Sequence, residues 1–486
     1  MVKSPYSPPP AVAPARAGRS RLPLWGLLAV LAGNMLIDAL EVSVVVVALP
    51  SLAADLGLAP VSAQWAMTGF AAGFGGLLLF GARVVALLGR RRVYLTALLV
   101  FAAASVVAAL ATDPVLLVAT RFVKGFCAAL TAPTGLAIIS TTFPAGPQRQ
   151  RALSVYTLFG ASGFTAGLLL SGALTEISWR LTFFFPAPVV LVLFALGLRL
   201  VPGPDAEPAP PGAGQAAEQP APRRYDFAGA LTFAAGLAAL VQGIVSLPAH
   251  GWADPRSTGL LALAVAAFAA FTVIERRVPE PLVDFRVFTS GAMVRSALGA
   301  AALNGSYLGL LFTLTYQLQV LSGWSPLHTA LALLPAAAPL AVTALHSGRL
   351  VAGYGATRLI TAGALFAFVG YLLQLRQSWP LQYASDLLLT TLLVGAAFVC
   401  SFAALNLRAT AELPPAERGA GSGVYQTAVQ TGAALVLAAV AALLPASAAA
   451  AQADPLRACR PALVLVAAVG AAGLLVALTG RRTRRP

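Results

Sequence analysis

Apolar runs of about twenty residues recur from residue 24 to residue 480, separated by short breaks rich in Arg, Gly and Pro. Nothing else in the chain constrains its fold as strongly. The hydrocarbon core of a bilayer is about 30 Å thick and needs roughly 20 apolar helical residues to cross it. Inside lipid, a helix satisfies its own backbone polar groups. A water-soluble core has no use for run after run of this length. Of the 486 residues, 58% are hydrophobic and only 10% charged, against about 25% charge in an ordinary soluble domain. A soluble enzyme, a disordered chain and a fibrous repeat are excluded. The runs predict fourteen membrane spans at 24–48, 63–86, 93–111, 115–139, 153–174, 181–201, 226–246, 257–274, 291–320, 327–348, 357–375, 382–407, 420–444 and 461–480. The expected fold class is an all-α polytopic membrane protein.

The formal charge of +15 is carried almost wholly by Arg, since only Lys3 and Lys124 are Lys. The arginines gather in alternate breaks: Arg90 to Arg92, Arg149 and Arg151, Arg223 and Arg224, Arg276 and Arg277, and Arg481 to Arg485. The intervening breaks hold few, such as Arg180, Arg256 and Arg376. Positive loops stay in the cytoplasm during insertion, so an even number of spans places both termini there. Charge clustered between spans is not a nucleic-acid patch, and no nucleic-acid partner is expected. Cys127, Cys400 and Cys459 have neither metal-ligand spacing nor a disulfide framework. No metal or cofactor is expected, and a monomer is. Residues 1–23, rich in Pro, Ala and Arg, read as a disordered cytoplasmic tail rather than a signal peptide.

Residues 202–225 break the rhythm. Their Pro, Ala, Gly and Glu composition cannot bury a core and reads as a cytoplasmic linker. It follows six spans and precedes eight. Six plus six is the plan of transporters built from two related bundles, here 24–201 and 291–480, with 226–274 as two inserted helices. An internal echo supports duplication. The break after the second span reads ARVVALLGRRRVYL (82–95), and that after the tenth reads GRLVAGYGATRLI (348–360). Both carry Arg-[Val/Leu]-Val, three residues and a glycine, Gly89 or Gly355. The two sit in equivalent places once the inserted pair is set aside.

Six segments, in order, carry a family resemblance: EVSVVVVALP (41–50), GRRRVYL (89–95), RFVKGF (121–126), SWRLTFF (178–184), QVLSGWSP (319–326) and GAGSGVYQTAVQTG (419–432). The chain resembles the fourteen-span drug:proton antiporters of the major facilitator superfamily, from about residue 30 to residue 440. The resemblance implies the major facilitator fold and alternating access. It also implies a conformational loop at Gly89, Arg90 and Arg91, and proton coupling through the acid of the first span, Glu41, and the arginine of the fourth, Arg121. Three positions depart from the family pattern: Ala86 stands where an Asp is usual, Leu168 replaces the proline of the fifth span, and Glu41-Val42-Ser43 replaces Asp-x-Thr. The first puts the balance of access states in doubt, and the second weakens the specific case for antiport.

The residues themselves point to the same place. Asp38 and Glu41 in the first span, and Arg121 and Lys124 in the fourth, are each spaced i, i+3 and share a helix face. At ~1.5 Å per residue, Asp38 stands roughly 21 Å and Glu41 roughly 25 Å above the start of the first span. Lys124 and Arg121 stand roughly 22 and 27 Å above the end of the fourth. Matching heights predict the pairs Asp38–Lys124 and Glu41–Arg121. Four unpaired charges would cost about 10–14 kcal/mol at about 2.5–3.5 kcal/mol each. They must therefore pair, face water or work. A proton-coupling cluster of Asp38, Glu41, Arg121 and Lys124 is one reading, and a static ion-pair network that fixes helix packing is the other.

Mid-span polar and aromatic side chains suit the walls of a cavity for amphipathic cargo. Asn34, Asn304, Tyr307 and Gln426 are the candidates for substrate contact, although interhelical hydrogen bonding explains such residues equally well. Gly163, Gly167 and Ser171 form a small-residue face that implies close packing across the two bundles, with ordinary helix packing as the alternative. Pro133, Pro335 and Pro339 are expected to kink their helices. Glu176 and Asp386 read as interface acids at outer helix ends. No phosphate-binding loop is present, so ATP hydrolysis by this chain is excluded. The expected function is secondary active export of small amphipathic or cationic molecules in exchange for protons, in a bacterial plasma membrane. A facilitator or single-metabolite exporter without strong coupling, and a membrane enzyme or sensor on the same fold, are the alternatives.

Overall fold

The structure is a computed structural model that describes residues 21–203, 226–414, 417–445, 449, 451 and 454–482. The tail expected at 1–23 and the linker expected at 202–225 lie almost entirely outside these residues. Among the described residues there is no strand, and fourteen helices are long and apolar enough to cross a membrane. In chain order they are α1 (Leu24–Asp55), α2 (Pro60–Leu88), α3 (Arg90–Leu110), α4 (Pro114–Thr142), α5 (Pro147–Thr175), α6 (Trp179–Leu200), α7 (Phe227–Pro248), α8 (Pro255–Arg277), α9 (Gly291–Leu321), α10 (Pro326–Tyr354), α11 (Ala356–Gln374), α12 (Tyr383–Ala411), α13 (Arg418–Leu443) and α14 (Pro455–Gly480). Each coincides with a span expected from the sequence. The largest departure is α1, which runs seven residues past its expected end and continues through Pro50. Its final turns, LPSLAAD, are held by packing, with Leu49 and Leu52 buried in the core.

Helix starts follow local chemistry. Pro opens α2, α4, α5, α8, α10 and α14, where its missing N–H costs nothing. Asp113, Asp226, Asp254 and Ser290 cap α4, α7, α8 and α9 by accepting backbone N–H bonds. The helices run continuously through Pro133, Pro335 and Pro339, where kinks are expected. The irregularities fall elsewhere: α9 ends in a π-helical turn at Tyr316–Leu321, and α10 tightens to a 3₁₀ turn at Ala344–His346.

The packing is duplicated. In the first half α1 lies on α5 and α6, α4 on α2 and α3, and α3 on α6. In the second half α9 lies on α13 and α14, α12 on α10 and α11, and α11 on α14. Every one of these contacts has its counterpart six helices on, with α7 and α8 left out of the count. The echoed loops match as well. Gly89 has φ 84°, ψ 142° and Gly355 has φ 80°, ψ 138°. Each donates to the carbonyl four residues back, Val85 or Val351, at 3.0 Å. Each then accepts from the amide four residues on, Val93 or Leu359, at 3.2 Å. A positive φ of this size suits only glycine, which is why that residue survives in both copies.

The most extensive joins between the halves are α5 with α10 and α2 with α13. The inserted α8 packs on α7, and α7 packs on both α2 and α13. The pair therefore lies along the second of these seams.

Candidate functional site

Four glycine-dependent approaches bring α1, α2, α4 and α5 together. A Cβ on Gly73 would strike the Phe122 carbonyl, and one on Gly125 the Phe70 carbonyl, so α2 and α4 touch backbone to backbone. Gly163 and Gly167 admit α1 in the same way, at Leu36 to Leu40, and the Ser171 hydroxyl donates to the Val44 carbonyl. The small-residue face of α5 is thus packed against α1 within one bundle, contrary to the expectation that it crosses between bundles. The cross-bundle contact is made one residue along, where Gly172 faces Leu327 and Ala330 of α10.

At the centre of this compact group lie all four expected charges. Asp38, Glu41, Arg121 and Lys124 are 4%, 0%, 1% and 0% exposed. Their pairing differs from the heights. Glu41 takes both cations: one carboxylate oxygen meets an Arg121 Nη, and the other meets Lys124 Nζ at 2.5 Å. Arg121 also donates to the Glu41 carbonyl at 2.9 Å and through Nε to the Ala66 carbonyl at 2.7 Å. Aromatic faces complete the cage. The Arg121 guanidinium lies 4.8 Å from the Phe70 ring centroid, and the Lys124 ammonium 4.8 Å from that of Phe101. The expected Asp38–Lys124 pair is not formed, because rise along a helix sets height but not azimuth. Lys124 turns toward Glu41, and Asp38 turns toward neutral donors. One Asp38 oxygen accepts from Asn34 Nδ2 at 2.9 Å and Thr131 Oγ1 at 2.8 Å. The other has no hydrogen-bond partner.

The four residues expected to contact cargo are dispersed. Asn34 is tied to Asp38 inside the first bundle. Asn304 donates to the Val429 carbonyl at 3.2 Å, joining α9 to α13. Gln426 is half-buried on α13. Tyr307 is the one that meets the facing bundle: its ring lies 5.5 Å from that of Phe164 on α5 and 4.4 Å from that of Phe398 on α12. At the conformational loop, Arg90 donates to Thr141 at 3.4 Å, and Arg91 grips the end of α6 at the carbonyls of Leu198, at 2.6 Å, and Val201.

Several contacts were not foreseen from the sequence. Arg83 at the end of α2 binds the carbonyls of Glu280 and Pro281 and the Glu280 carboxylate, anchoring the segment after α8. Asp226 at the start of α7 and Glu275 near the end of α8 are buried side by side, and a Cβ on Gly229 would meet an oxygen of each. Glu176 at the end of α5 accepts from the Leu327 amide at 2.9 Å across the bundles, and Gln319 of α9 donates to the Val47 carbonyl at 3.0 Å. Next to the latter, a cleft of about 340 Å³ lies between α1, the start of α2 and the end of α9. Arg83 and Glu275 carried a signal, a charge at the edge of an apolar run. Their partners lie in loops that apolar periodicity does not order.

The sequence pattern of the Major Facilitator Superfamily matches residues 31–437, which run from α1 into α13 and include the inserted pair. The chain belongs to the Major Facilitator Superfamily. It is a multi-pass membrane transport protein. It is 36% identical to the puromycin resistance protein pur8 of Streptomyces alboniger over 85% of this chain and 80% of that one. It is 33% identical to the cephamycin export protein CmcT of Amycolatopsis lactamdurans, over 82% and 80%. It is 29% identical to a tetracenomycin C resistance and export protein of Streptomyces glaucescens, over 87% and 76%. Among solved structures, an auto-inhibited POT-family peptide transporter superposes with a TM-score of 0.64 at 19% identity, covering 95% of this chain and 97% of that one. That likeness extends to the fold.

Proposed function

We propose that this member of the superfamily is a secondary active exporter of small amphipathic or cationic molecules, driven by proton entry across a bacterial plasma membrane with both termini in the cytoplasm. The observation that carries this reading is the caged cluster of Asp38, Glu41, Arg121 and Lys124. Buried charge is expensive in a membrane protein and marks ion and proton pathways when it is retained. Two acids and two bases in one dry compartment give a site whose net charge changes by one unit when a proton binds. The names of the antibiotic resistance and export relatives support the outward direction and a small-molecule cargo. Rocking α1–α6 against α9–α14 would open the seam at Tyr307, where rings from both bundles meet. Asn34, Asn304 and Gln426 are the polar candidates for cargo contact. Gly89, Arg90 and Arg91 would steady the inner loop during the motion.

Everted membrane vesicles given ethidium in the outer medium test the proposal. Accumulation that collapses on addition of an uncoupler is the expected result. Uptake that ignores the uncoupler favours the second reading, a weakly coupled exporter or facilitator. Ala86 and Leu168 favour that reading, since both stand where proton-coupled relatives carry other residues.

A further inference from the structure

Glu41 is the residue that the family pattern singles out for the proton, yet its surroundings argue against it. Both of its oxygens are held by cations. Adding a proton there would leave Arg121 and Lys124, two buried like charges, facing each other with no anion between them. Asp38 lies one helical turn away in the opposite situation. It contacts no cation, its two donors converge on a single oxygen, and the second oxygen is buried without a partner. An ionised carboxylate so placed is poorly compensated, whereas a neutral carboxyl fits.

Building on the proposed proton-driven export, we propose that Asp38 carries the exchanged proton and that Glu41 is a fixed counter-ion that holds α4 to α1. Asp38 binds a proton through one O–H bond when the cluster opens outward. It gives that proton to cytoplasmic water when the cluster opens inward. Glu41, Arg121 and Lys124 together bear one positive charge. An ionised Asp38 cancels it and a protonated Asp38 exposes it. Proton binding therefore makes the compartment hostile to a cation, and proton loss makes it welcoming, so that proton and cargo displace one another. The titratable side chains that interact with Asp38 are Glu41 on its own helix, Tyr94 on α3, Cys127 on α4 and Tyr156 on α5, the last three neutral. The Tyr156 hydroxyl is committed to the Ala132 carbonyl at 2.8 Å. None of these four is a cation that could hold Asp38 ionised.

The test uses the full chain, purified into lipid nanodiscs, and infrared difference spectra recorded through a pH titration. The wild type is expected to show a carboxylic-acid carbonyl band that disappears as the pH rises. Asp38→Asn is expected to lose that band, Asp38→Glu to keep it at a shifted position, and Glu41→Gln to keep it. In everted vesicles, Asp38→Asn, which fixes the compartment in its protonated charge state, should lose ethidium accumulation at every pH, whereas Asp38→Glu should keep accumulation that depends on the pH gradient. A titrating band that survives Asp38→Asn and vanishes in Glu41→Gln overturns the assignment. Gradient-driven accumulation by Asp38→Asn with an unchanged pH profile does the same, and leaves proton-driven export standing. A wild type whose ethidium uptake ignores the uncoupler brings down the export reading itself, and the assignment with it.

Discussion

Glu41 is the fulcrum of the buried cluster, and its neighbours differ in how much depends on them. Removing Glu41 by Glu41→Ala strands two cations in a dry compartment, which costs about 3–5 kcal/mol. Lys124→Met leaves the Glu41–Arg121 pair and its extra bonds to the Glu41 and Ala66 carbonyls intact, so the loss should be well below that. Thermal unfolding of the purified variants checks the order, and equal destabilisation would contradict it. All four charges were visible in the sequence because ionisable groups within apolar runs are conspicuous. Their partners were not, since helical rise gives a height and says nothing of rotation about the helix axis. The long Lys124 side chain reached the acid one turn above the one assigned to it.

Among the helices, α5 shows how a stripe of small residues can be recognised without its partner being known. Gly163, Gly167 and Ser171 are spaced for close approach, and α1 occupies the space. Gly167→Leu would drive its side chain into the Leu40 carbonyl and Ser43, at a cost of about 1–3 kcal/mol for overpacking. It would also push Glu41 off register. Reduced thermal stability together with weakened ethidium transport is expected, whereas the same change at Gly259, which has open space around it, should leave both unaltered. Span positions were readable because apolar length alone sets them. The overrun of α1 past Pro50 and the π-helical end of α9 were not, because both are decided by packing between the halves. The shared glycine of the two echoed loops was readable for a local reason: a left-handed backbone leaves little choice of residue.

Across the molecule, Glu176 ties α5 to α10 at the end where α1 stops. The Ser325 hydroxyl and the Leu327 amide hold its carboxyl below the usual carboxylate range. A group depressed in this way lends its stabilisation above the unfolded value, about 4.3 for Glu, and loses it as the pH falls through the lower folded value. Distances between labels on α5 and α10 at that end should therefore lengthen on strong acidification of the wild type. In Glu176→Gln they should be longer from the start and respond little to pH; a wild-type profile in that variant would refute the tie. The two halves are related so that α5–α10 and α2–α13 are equivalent joins, but only the second is roofed by α7 and α8. Among the described residues, lipid tails would therefore border α7 and α8 along one flank of the carrier and the α5–α10 seam itself along the other, so a duplicated fold presents two unlike faces to the bilayer.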